Sequence, residues 1–487
     1  EEDMKKEYIN IRNAYIEIFK ELGLDVIPVS ALNGDMGGKM SEEFMFISDA
    51  GEELWSVDTE SGSEVKNCAM DNEGNIYFYT AENKVYAIQG VLEPIGFAKL
   101  NESISNNNVV DLTDDVTLLE GEDAIFKNGI QINHDVTING NNHVVNGTDL
   151  VRIFNIANNA NVVLKDLIIT GARATSGHGG AIYMATGTLT VENCTFVNNT
   201  LFNGGAHGGA IHAAANTRLT ISDSVFEHNI NTPPSSANWW SSTSNYGGAI
   251  YCGDYVTLAV TNTLFKDNVA TSGSYSNRNM YDGAISAFGA NSLNTISNCT
   301  FINNTATNGI GAIEMRVGNI TGCIFDDNYG TNDYPAVYIS SNGNAIISYN
   351  VFMDDTTQIR ARNSIANIVE EYNWWATNEP GNLVRMENTY VEPNKFIMMD
   401  VTNVGKTVKA GFVKDSNRDD IPNVELLPVR DVIFEGDVDN LNAQTINGLA
   451  TVNYNSQITE ESQISATIDG YTISRSEERF SRNAETD

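Results

Sequence analysis

The chain has 487 residues, 41% of them hydrophobic, and its 63 Asp+Glu against 28 Lys+Arg give a formal net charge of −35. A chain of this length predicts several domains rather than one. Because so acidic a surface repels phosphates and anionic lipid head groups, the composition excludes nucleic acid and anionic membranes as primary partners. No segment is long and apolar enough to predict membrane insertion, and no signal peptide is visible. The chain opens with Glu1 rather than Met, so we interpret it as a fragment.

Residues 1–50 predict a small α/β piece. Apolar side chains from Tyr8 to Phe19 recur at helical spacing, Gly23 ends the helix, and Val26–Val29 is typical of a strand. The run AYIEIFKELGLDVIPVSALNGDMGGKMSEEFMFISDAGE resembles part of the catalytic domain of bacterial-type prolyl-tRNA synthetases. The matching signature positions are Gly34, Gly37, Gly38, Ser41, Glu43 and Phe44. Glu42 stands where many members have His, and the ATP-binding segments of that family are not recognisable, so the resemblance implies no catalytic residue here.

Residues 51–89 change pattern. Strand-like runs flank Asn72-Glu73-Gly74-Asn75, which predicts a hairpin. Leu54-Trp55, Asp58 and the run Val85–Ile88 resemble a single blade of a quinoprotein-type β-propeller. One blade cannot close a propeller, so no quinone site is implied.

The segment that resembles prolyl-tRNA synthetases and the segment that resembles a propeller blade join at Asp49–Glu52, a tetrapeptide that is compatible with both families. The last residues, RSEERFSRNAETD at 475–487, resemble a translated sequencing adapter, and we expect a non-native tail there. These two features predict a reading frame that joins unrelated genes, with both ends uninformative about function.

A repeat dominates residues 105–395. A small-apolar motif, as in Gly180-Ala181-Ile182, is followed each time by a second motif that contains one phenylalanine. These phenylalanines are Phe196, Phe226, Phe265, Phe301, Phe325 and Phe352, at spacings of 30, 39, 36, 24 and 27 residues. Self-similarity on this scale predicts a solenoid.

The alternation of apolar residues predicts which solenoid this is. Leu189 and Val191 occupy odd-numbered positions, whereas Cys194 and Phe196 occupy even-numbered ones. Because side chains alternate along a strand, this shift by one residue predicts a corner near Asn193 between two strands that both face inward. Three residues after the phenylalanines come Asn199, Asn229, Asn268, Asn304 and Asn328. Stacked coils place such side chains about 4.8 Å apart, which predicts an amide ladder beside columns of Phe and Cys. We therefore interpret the cysteines as buried core thiols rather than metal ligands.

These motifs resemble the right-handed parallel β-helices of polymorphic outer-membrane and pectate-lyase-like proteins, above all adhesin-like proteins of methanogenic archaea. The segments NGIQINHDVTINGNNHVVNG and YNWWATNEPGNLV resemble the first coils and the final segment of those helices. The resemblance implies an extracellular or surface-displayed protein, with cell-surface glycans or proteins as partners. Residues 400–474 alternate as strands and resemble the immunoglobulin-like β-sandwich that follows such helices, which we interpret as a spacer.

The sequence does not have the residue patterns of the catalytic or metal sites known for this fold. Lyases and hydrolases of this fold need clustered carboxylates, but Glu192 is replaced by Ser222, Thr261 and Ser297 in later repeats, and Asp354-Asp355 lacks a suitably placed His-Gly partner. The histidines at 178, 207 and 212 fall on neighbouring coils without a recurring carboxylate, so a corner role is the plainer interpretation than a metal site. We expect no enzyme activity, no metal and no cofactor. A polysaccharide lyase or glycoside hydrolase, and a non-functional prolyl-tRNA synthetase fragment, are the alternatives.

Two insertions predict the binding surface, because loops that lengthen a coil project on one side. They contain the aromatic residues Trp239, Trp240, Tyr246, Tyr275 and Tyr281. Aromatic rings beside Asn and Ser suit stacking on sugars or docking on a protein. A Trp pair that folds back to cap its own loop is an equal alternative.

Overall fold

A computed structural model describes residues 95–234, 245–271, 282–307, 309–330, 335–362, 367–455 and 463–476, with residues 15, 18 and 19 and the strands between residues 26 and 88. These residues fall into two compact units, Glu1–Glu93 and Pro94–Asp487. The predicted tail lies outside the described residues from position 477 onward.

The described strands of the first unit form two small antiparallel sheets. One pairs Val26–Ser30 with Glu42–Phe46, and the other joins Val65–Met70, Ile76–Thr80 and Val85–Ile88 in that order. The strand predicted at Val26–Val29 and the hairpin predicted around residues 72–75 are both present.

The second unit opens with a helix that covers one end of the sheets that follow. Helix α1, Phe97–Asn106, buries Phe97, Leu100 and Ile104, which share one face at helical spacing. The Glu122 carboxylate accepts hydrogen bonds from the backbone N–H groups of Phe97 and Ala98, at 2.9 and 2.8 Å. A carboxylate at this position satisfies amide donors that have no partner within the helix and complements the helix dipole.

After the helix, the chain passes repeatedly through three parallel sheets, which we call A, B and C, of nineteen, nine and six strands. Each passage, here called a coil, adds two strand segments to sheet A, one to sheet B and, in the middle of the stack, one to sheet C.

The first segments of sheet A are Ile130–Ile132, Phe154–Ile156, Ile182–Met184, Ile211–Ala213, Ile250–Cys252, Ile285–Ala287, Ile359–Ala361 and Val384–Met386. The second segments are Val109–Asp111, Val136–Asn139, Asn161–Lys165, Thr188–Glu192, Arg218–Ser222, Thr257–Thr261, Leu293–Ser297 and Asn367–Glu371, while Ile313–Thr321 and Val337–Ser348 run through both. Thr389–Val391 closes this sheet by pairing antiparallel to Val384–Met386.

Sheet B contains Val116–Thr117, Val144–Asn146, Ile168–Thr170, Thr195–Val197, Val225–Glu227, Leu264–Lys266, Thr300–Ile302, Ile324–Asp326 and Val351–Phe352. Sheet C contains Arg173–Ala174, Thr200–Phe202, Ile230–Thr232, Val269–Ala270, Thr305–Ala306 and Tyr329–Gly330.

Left-handed backbone conformations make the corners between sheets. Asn193 has φ +51° between Thr188–Glu192 and Thr195–Val197, and Asn298 has φ +53° at the same place in a later coil. Asn tolerates this conformation better than most residues, which explains its use at the corners. The predicted parity change near Asn193 is confirmed.

The interior of the coils is a stack of aligned side chains, as predicted. Rings from Phe196 to Phe352 follow one another at centroid distances of 4.7–5.1 Å and interplanar angles of 2–11°. Trp375 continues the stack 4.6 Å beyond Phe352. Cys194, Cys252, Cys299 and Cys323 are buried free thiols, so the interpretation as core cysteines is confirmed for these four.

The predicted amide ladder is also present. Asn199, Asn229, Asn268 and Asn304 each donate their side-chain amide to the Oδ1 atom of the next asparagine, at 2.8–3.0 Å. Each Oδ1 atom also accepts the backbone N–H of the preceding asparagine. The buried polar groups at this corner are thereby paired, which offsets the cost of removing them from water.

Two antiparallel sheets form the last part of the chain. Ile397–Val404, Thr407–Asp415 and Leu449–Asn453 make one sheet, and Asn442–Gln444, Asp431–Glu435, Gln463–Ile468 and Tyr471–Ser476 make the other. A short 3-10 helix spans Val424–Leu426. Their buried residues form one apolar cluster that also includes Val351 and Trp374 from the end of the coils. This region therefore packs directly on the last coils, which a freely projecting spacer would not require.

The chain is thus mainly β, with long parallel sheets. Within the described residues, no helix has the length and apolarity needed to cross a membrane.

Candidate functional site

One column of side chains points outward from the first segments of sheet A. Strand register aligns the middle residue of each segment, since its two neighbours are buried inside. The column runs Gln131, Asn155, Tyr183, His212, Tyr251, Ser286, Glu314, Tyr338, Arg360 and Arg385. Adjacent members are about 4.8 Å apart along the sheet.

A second column lies just before these segments, at His178, His207 and Tyr246. Glycine pairs follow each of them and set their position. Gly179 has φ +71°, and a Cβ atom on Gly180 would meet the Gly209 carbonyl oxygen at 1.9 Å. Only glycine permits this backbone turn and this close approach of neighbouring coils.

The two columns meet in a stack of rings, here called the His–Tyr cluster and defined by His178, Tyr183, His207, His212 and Tyr251. Ring centroids lie 4.5 Å apart for His178–His212 and for His207–Tyr251, and 4.9 Å apart for His212–Tyr251. His212 is 6% exposed, so much of this outward face is covered.

The environment of the cluster keeps its histidines neutral at pH 7. Burial lowers the pKa of His207 to about 4 and lowers the pKa of His178 and His212 as well, with neighbouring positive groups adding to the effect. His178 Nδ1 accepts the His207 backbone N–H at 3.2 Å, which leaves Nε2 as the protonated ring nitrogen.

The arrangement does not gather the histidines around one point. Across the described ranges, the groups of three potential ligands whose donor atoms lie within 4.8 Å of one another are Glu227–His228–Asp267 and Asp326–Asp327–Asp354. Lys266 Nζ lies 2.7 Å from a Glu227 oxygen and occupies part of the first group. The second is an acidic trio of a kind common on a chain of this charge. The stacking supports a structural interpretation of His178 and His207.

An open cleft of about 420 Å³ lies at the end of the outward column next to the first coils. Gln131, Asn155 and Tyr183 form its floor on three successive coils. Its wall includes Asn128, Arg152, Ser176 and His178. Amide groups that both donate and accept hydrogen bonds therefore sit beside two aromatic rings.

Arg152 holds the wall of this cleft together. Its side chain is buried and donates to the carbonyl oxygens of Gly179, Ser176 and His178 at 2.8, 2.9 and 2.7 Å. A longer contact of 3.4 Å joins Nη1 to the Asn128 carbonyl. One guanidinium thus fixes segments from two coils around the cleft.

Two buried carboxyl groups lie further along the same face. Asp282 is 0% and Glu314 4% exposed. Burial raises the pKa of Asp282, and burial together with the Asp282 charge raises that of Glu314. Ser286, the register partner of Glu314, lies beside them. A pair of this kind holds a proton at a pH where isolated carboxyls are ionised.

The carboxylate column considered in the sequence has the expected register. Glu192 aligns with Ser222, Thr261 and Ser297, so its carboxylates do not stack. Asp354 instead approaches Asp326 and Asp327 from a neighbouring coil.

Of the five predicted loop residues, Trp239, Trp240, Tyr275 and Tyr281 lie outside the described residues. Tyr246 is half-buried, with its ring 5.2 Å from His207 and 5.0 Å from Phe288. The loop assignment therefore stays a prediction.

Sequence reasoning missed the cleft and the acid pair. The middle of the outward column, from Tyr183 to Glu314, can be found in the sequence, because its five members each follow a Gly-Ala-Ile motif. Nothing local marks Arg152, Asp282 or Glu314, because their neighbours come from coils about 25–30 residues away.

Comparison with known proteins gives short matches near the N-terminus. The proline–tRNA ligase of Xanthomonas axonopodis pv. citri is 48% identical over 61 residues, 12% of this chain and 11% of that protein. That of Brachyspira hyodysenteriae is 50% identical over 52 residues, 11% of this chain and 9% of that protein. That of Prochlorococcus marinus is 35% identical over 79 residues, 16% and 13% respectively.

The chain thus spans about a tenth to a fifth of the length of the curated relatives it matches. The N-terminal resemblance to prolyl-tRNA synthetases is confirmed over this short stretch. No family model matches the chain.

Proposed function

We propose that residues 105–395 form a right-handed parallel β-helix, that residues 400–474 form an immunoglobulin-like sandwich, and that the protein is an adhesin-like module displayed on a microbial cell surface. The repeated return of the chain to three parallel sheets supports the first assignment. The stacked phenylalanines and the asparagine ladder, both typical of such coils, add to it.

In this proposal the module binds glycans without cleaving them. The cleft floored by Gln131, Asn155 and Tyr183 is the observation that supports glycan binding. Sugar hydroxyls both donate and accept hydrogen bonds, as the side-chain amides do. The flat face of an aromatic ring suits the apolar face of a sugar, and a few convergent polar groups in a concave site supply orientation.

Binding of the full chain to an array of glycans, followed by calorimetry on the best ligand, tests this function. Changing Gln131→Ala together with Asn155→Ala should weaken binding at least tenfold, because two hydrogen bonds contribute about 1 kcal/mol each. Asn367→Ala, an exposed amide on a distant coil of the same sheet, is the matched control. A double variant that binds as tightly as the unmodified chain would rule out the cleft.

The predicted loop gives a separate arm of the experiment. Trp239→Ala with Trp240→Ala should abolish binding to whole cells if the aromatic loop, rather than the cleft, contacts the ligand. Unchanged cell binding in this variant, with loss in the cleft variant, would assign recognition to the cleft alone.

Polysaccharide cleavage is the second candidate, and the Asp282–Glu314 pair is the observation that favours it. Glycosidases use two carboxyl groups with different protonation states. Incubating the full chain with neutral and acidic polysaccharides, and following new reducing or unsaturated ends, decides between the two functions. We expect no release; release that disappears in Glu314→Gln would establish an enzyme.

The N-terminal match supports a third hypothesis, in which this segment is a remnant of a proline–tRNA ligase. A proline-dependent ATP–pyrophosphate exchange assay on the full chain should show no activity above background, since the match covers so little of those enzymes. Measurable exchange would overturn the view that this piece has no catalytic role.

A further inference from the structure

Arg152 is a buried cation whose partners within the described part of the chain are all uncharged. The residue is 4% exposed, and its hydrogen bonds end on main-chain carbonyl oxygens. Among the residues that the structure describes, the one charge-type interaction that raises the pKa of Arg152 comes from the Tyr183 phenol. Buried charges are ordinarily paired with an opposite charge, so this guanidinium lacks its usual counter-ion.

The charge nevertheless persists at neutral pH. Burial lowers the pKa of Arg152 to about 10, which still leaves the group protonated at pH 7. The carbonyl dipoles around it stabilise the cation only in part. A chain with a net charge of −35 therefore places an uncompensated positive charge at the wall of an open cleft.

The guanidinium, which lines the cleft, also retains hydrogen-bonding capacity. Arginine has five N–H donors, and the four contacts to carbonyls use four of them. Among the described residues, Nη1 makes only the 3.4 Å contact to Asn128, which leaves its second N–H without an acceptor there.

The rest of the cleft is equally free of negative charge. The described residues that line it include no Asp or Glu, although these two residue types make up 63 of the 487 residues in the chain. His178 contributes a neutral ring, because burial and the Arg152 charge both lower its pKa. The lining thus offers N–H donors and a positive charge but no carboxylate to repel an anion.

We propose that this cleft recognises the anionic group of an acidic saccharide, a carboxylate or a sulfate ester, with Arg152 as the counter-ion. The inference rests on the proposed glycan-binding function and narrows it to one chemical class. A neutral sugar would leave the buried charge unpaired, whereas an anionic sugar adds a charge-assisted hydrogen bond. The choice of an anionic saccharide follows from the charge balance of the cleft and not from the shape of the cleft.

Calorimetry on the full chain with three probes tests this inference. The probes are a tetramer of galacturonic acid, its fully methyl-esterified counterpart and a sulfated galactose tetramer. Esterification removes the charge while keeping the sugar, so we expect the acid to bind at least tenfold more tightly than its ester. The sulfated probe distinguishes recognition of any anion from recognition of a carboxylate.

Four substitutions, one of them a control, probe the charge itself. Gln131→Glu adds a carboxylate to the cleft floor at an exposed position and should collapse the preference for acid over ester. Gln444→Glu makes the same change on the exposed surface of the C-terminal region and should leave that preference intact. Arg152→Lys keeps the charge and Arg152→Gln removes it, and circular dichroism shows whether either variant still folds.

The outcomes separate this inference from the proposed function. Acid and ester bound with equal affinity would overturn the charge-based inference and leave glycan binding standing. A preference that survives in Gln131→Glu would equally contradict it. No binding of these probes, together with no binding to any glycan on the array, would reject both.

Discussion

Trp374 donates its indole N–H to the Asp469 carboxylate over 2.9 Å, although the two residues are 95 positions apart in the chain. Arg430 donates to the same carboxylate from Nε at 2.8 Å. Trp374 belongs to the end of the coils, and Asp469 lies in the turn after Gln463–Ile468. This polar contact is surrounded by the apolar cluster that the coils and the C-terminal sheets share.

Removing the Asp469 carboxylate should destabilise both regions together. Asp469→Ala leaves a half-buried guanidinium and a buried indole N–H without their acceptor, and the loss of these charge-assisted hydrogen bonds costs about 3 kcal/mol. Urea unfolding, followed by fluorescence and by circular dichroism, should show one transition at a lower midpoint. Asp420→Ala, whose side chain is 89% exposed, is the control and should change stability by about 0.5 kcal/mol or less. Two separate transitions would indicate an independent C-terminal region.

The asparagine ladder should be sensitive at its middle. Asn268→Ala removes the acceptor for the Asn229 amides and the donor to the Phe226 carbonyl, at 2.8–3.1 Å. Each buried polar group left without a partner costs about 1–3 kcal/mol, so we expect a total loss on the order of 3 kcal/mol. Thermal or urea unfolding measures it, with exposed Asn367→Ala as the control. Equal stability of the two variants would show that water replaces the missing amide.

The His–Tyr cluster should make the protein lose stability on mild acidification. The pKa of His207 is about 4 in the folded protein, below its usual value of 6.5. A lowered pKa means that the unfolded chain takes up the proton first. Its contribution to stability is therefore full above pH 6.5 and declines as the pH falls toward 4, by about 3 kcal/mol.

Urea midpoints between pH 7 and pH 4 measure this effect. His207→Gln should reduce the decline, while His228→Gln, which removes a half-exposed imidazole at a corner, should not. Identical pH profiles for His207→Gln and the unmodified chain would contradict the assignment.

The acid pair should act in the opposite direction. A carboxyl whose pKa is raised in the folded state contributes stability below its ordinary pKa near 4, and this contribution is lost as the pH rises. Burial raises the pKa of Asp282 in this way. Asp282→Asn should therefore gain at least about 1 kcal/mol over the unmodified chain at pH 8, relative to their difference at pH 4. Exposed Glu379→Gln serves as the control, and a constant difference across this range would refute the coupling.

The sequence could predict the features that repeat. The Phe column, the Asn ladder, the buried cysteines and the corner at Asn193 all follow from local alternation, because one strand fixes which side chains point inward and every coil repeats the pattern. The first unit was predictable for a related reason, since its strands and hairpin depend on residues that are adjacent in the chain.

Such local patterns could not predict the candidate site. Arg152 meets Gly179 and Ser176 only because coil length and strand register place them side by side. Asp282 and Glu314 become a pair for the same reason. Because loop lengths vary between coils, no fixed spacing in the sequence predicts these contacts.

The amino-acid sequence by itself therefore determined the inside of this protein, since periodic burial is a local property of strands. Only the tertiary structure decided its outer face, which has a cleft with a buried guanidinium at one end and, further along, two buried carboxyl groups that hold a proton between them. Their charges depend on burial, and burial depends on which coils and loops come to lie over each side chain.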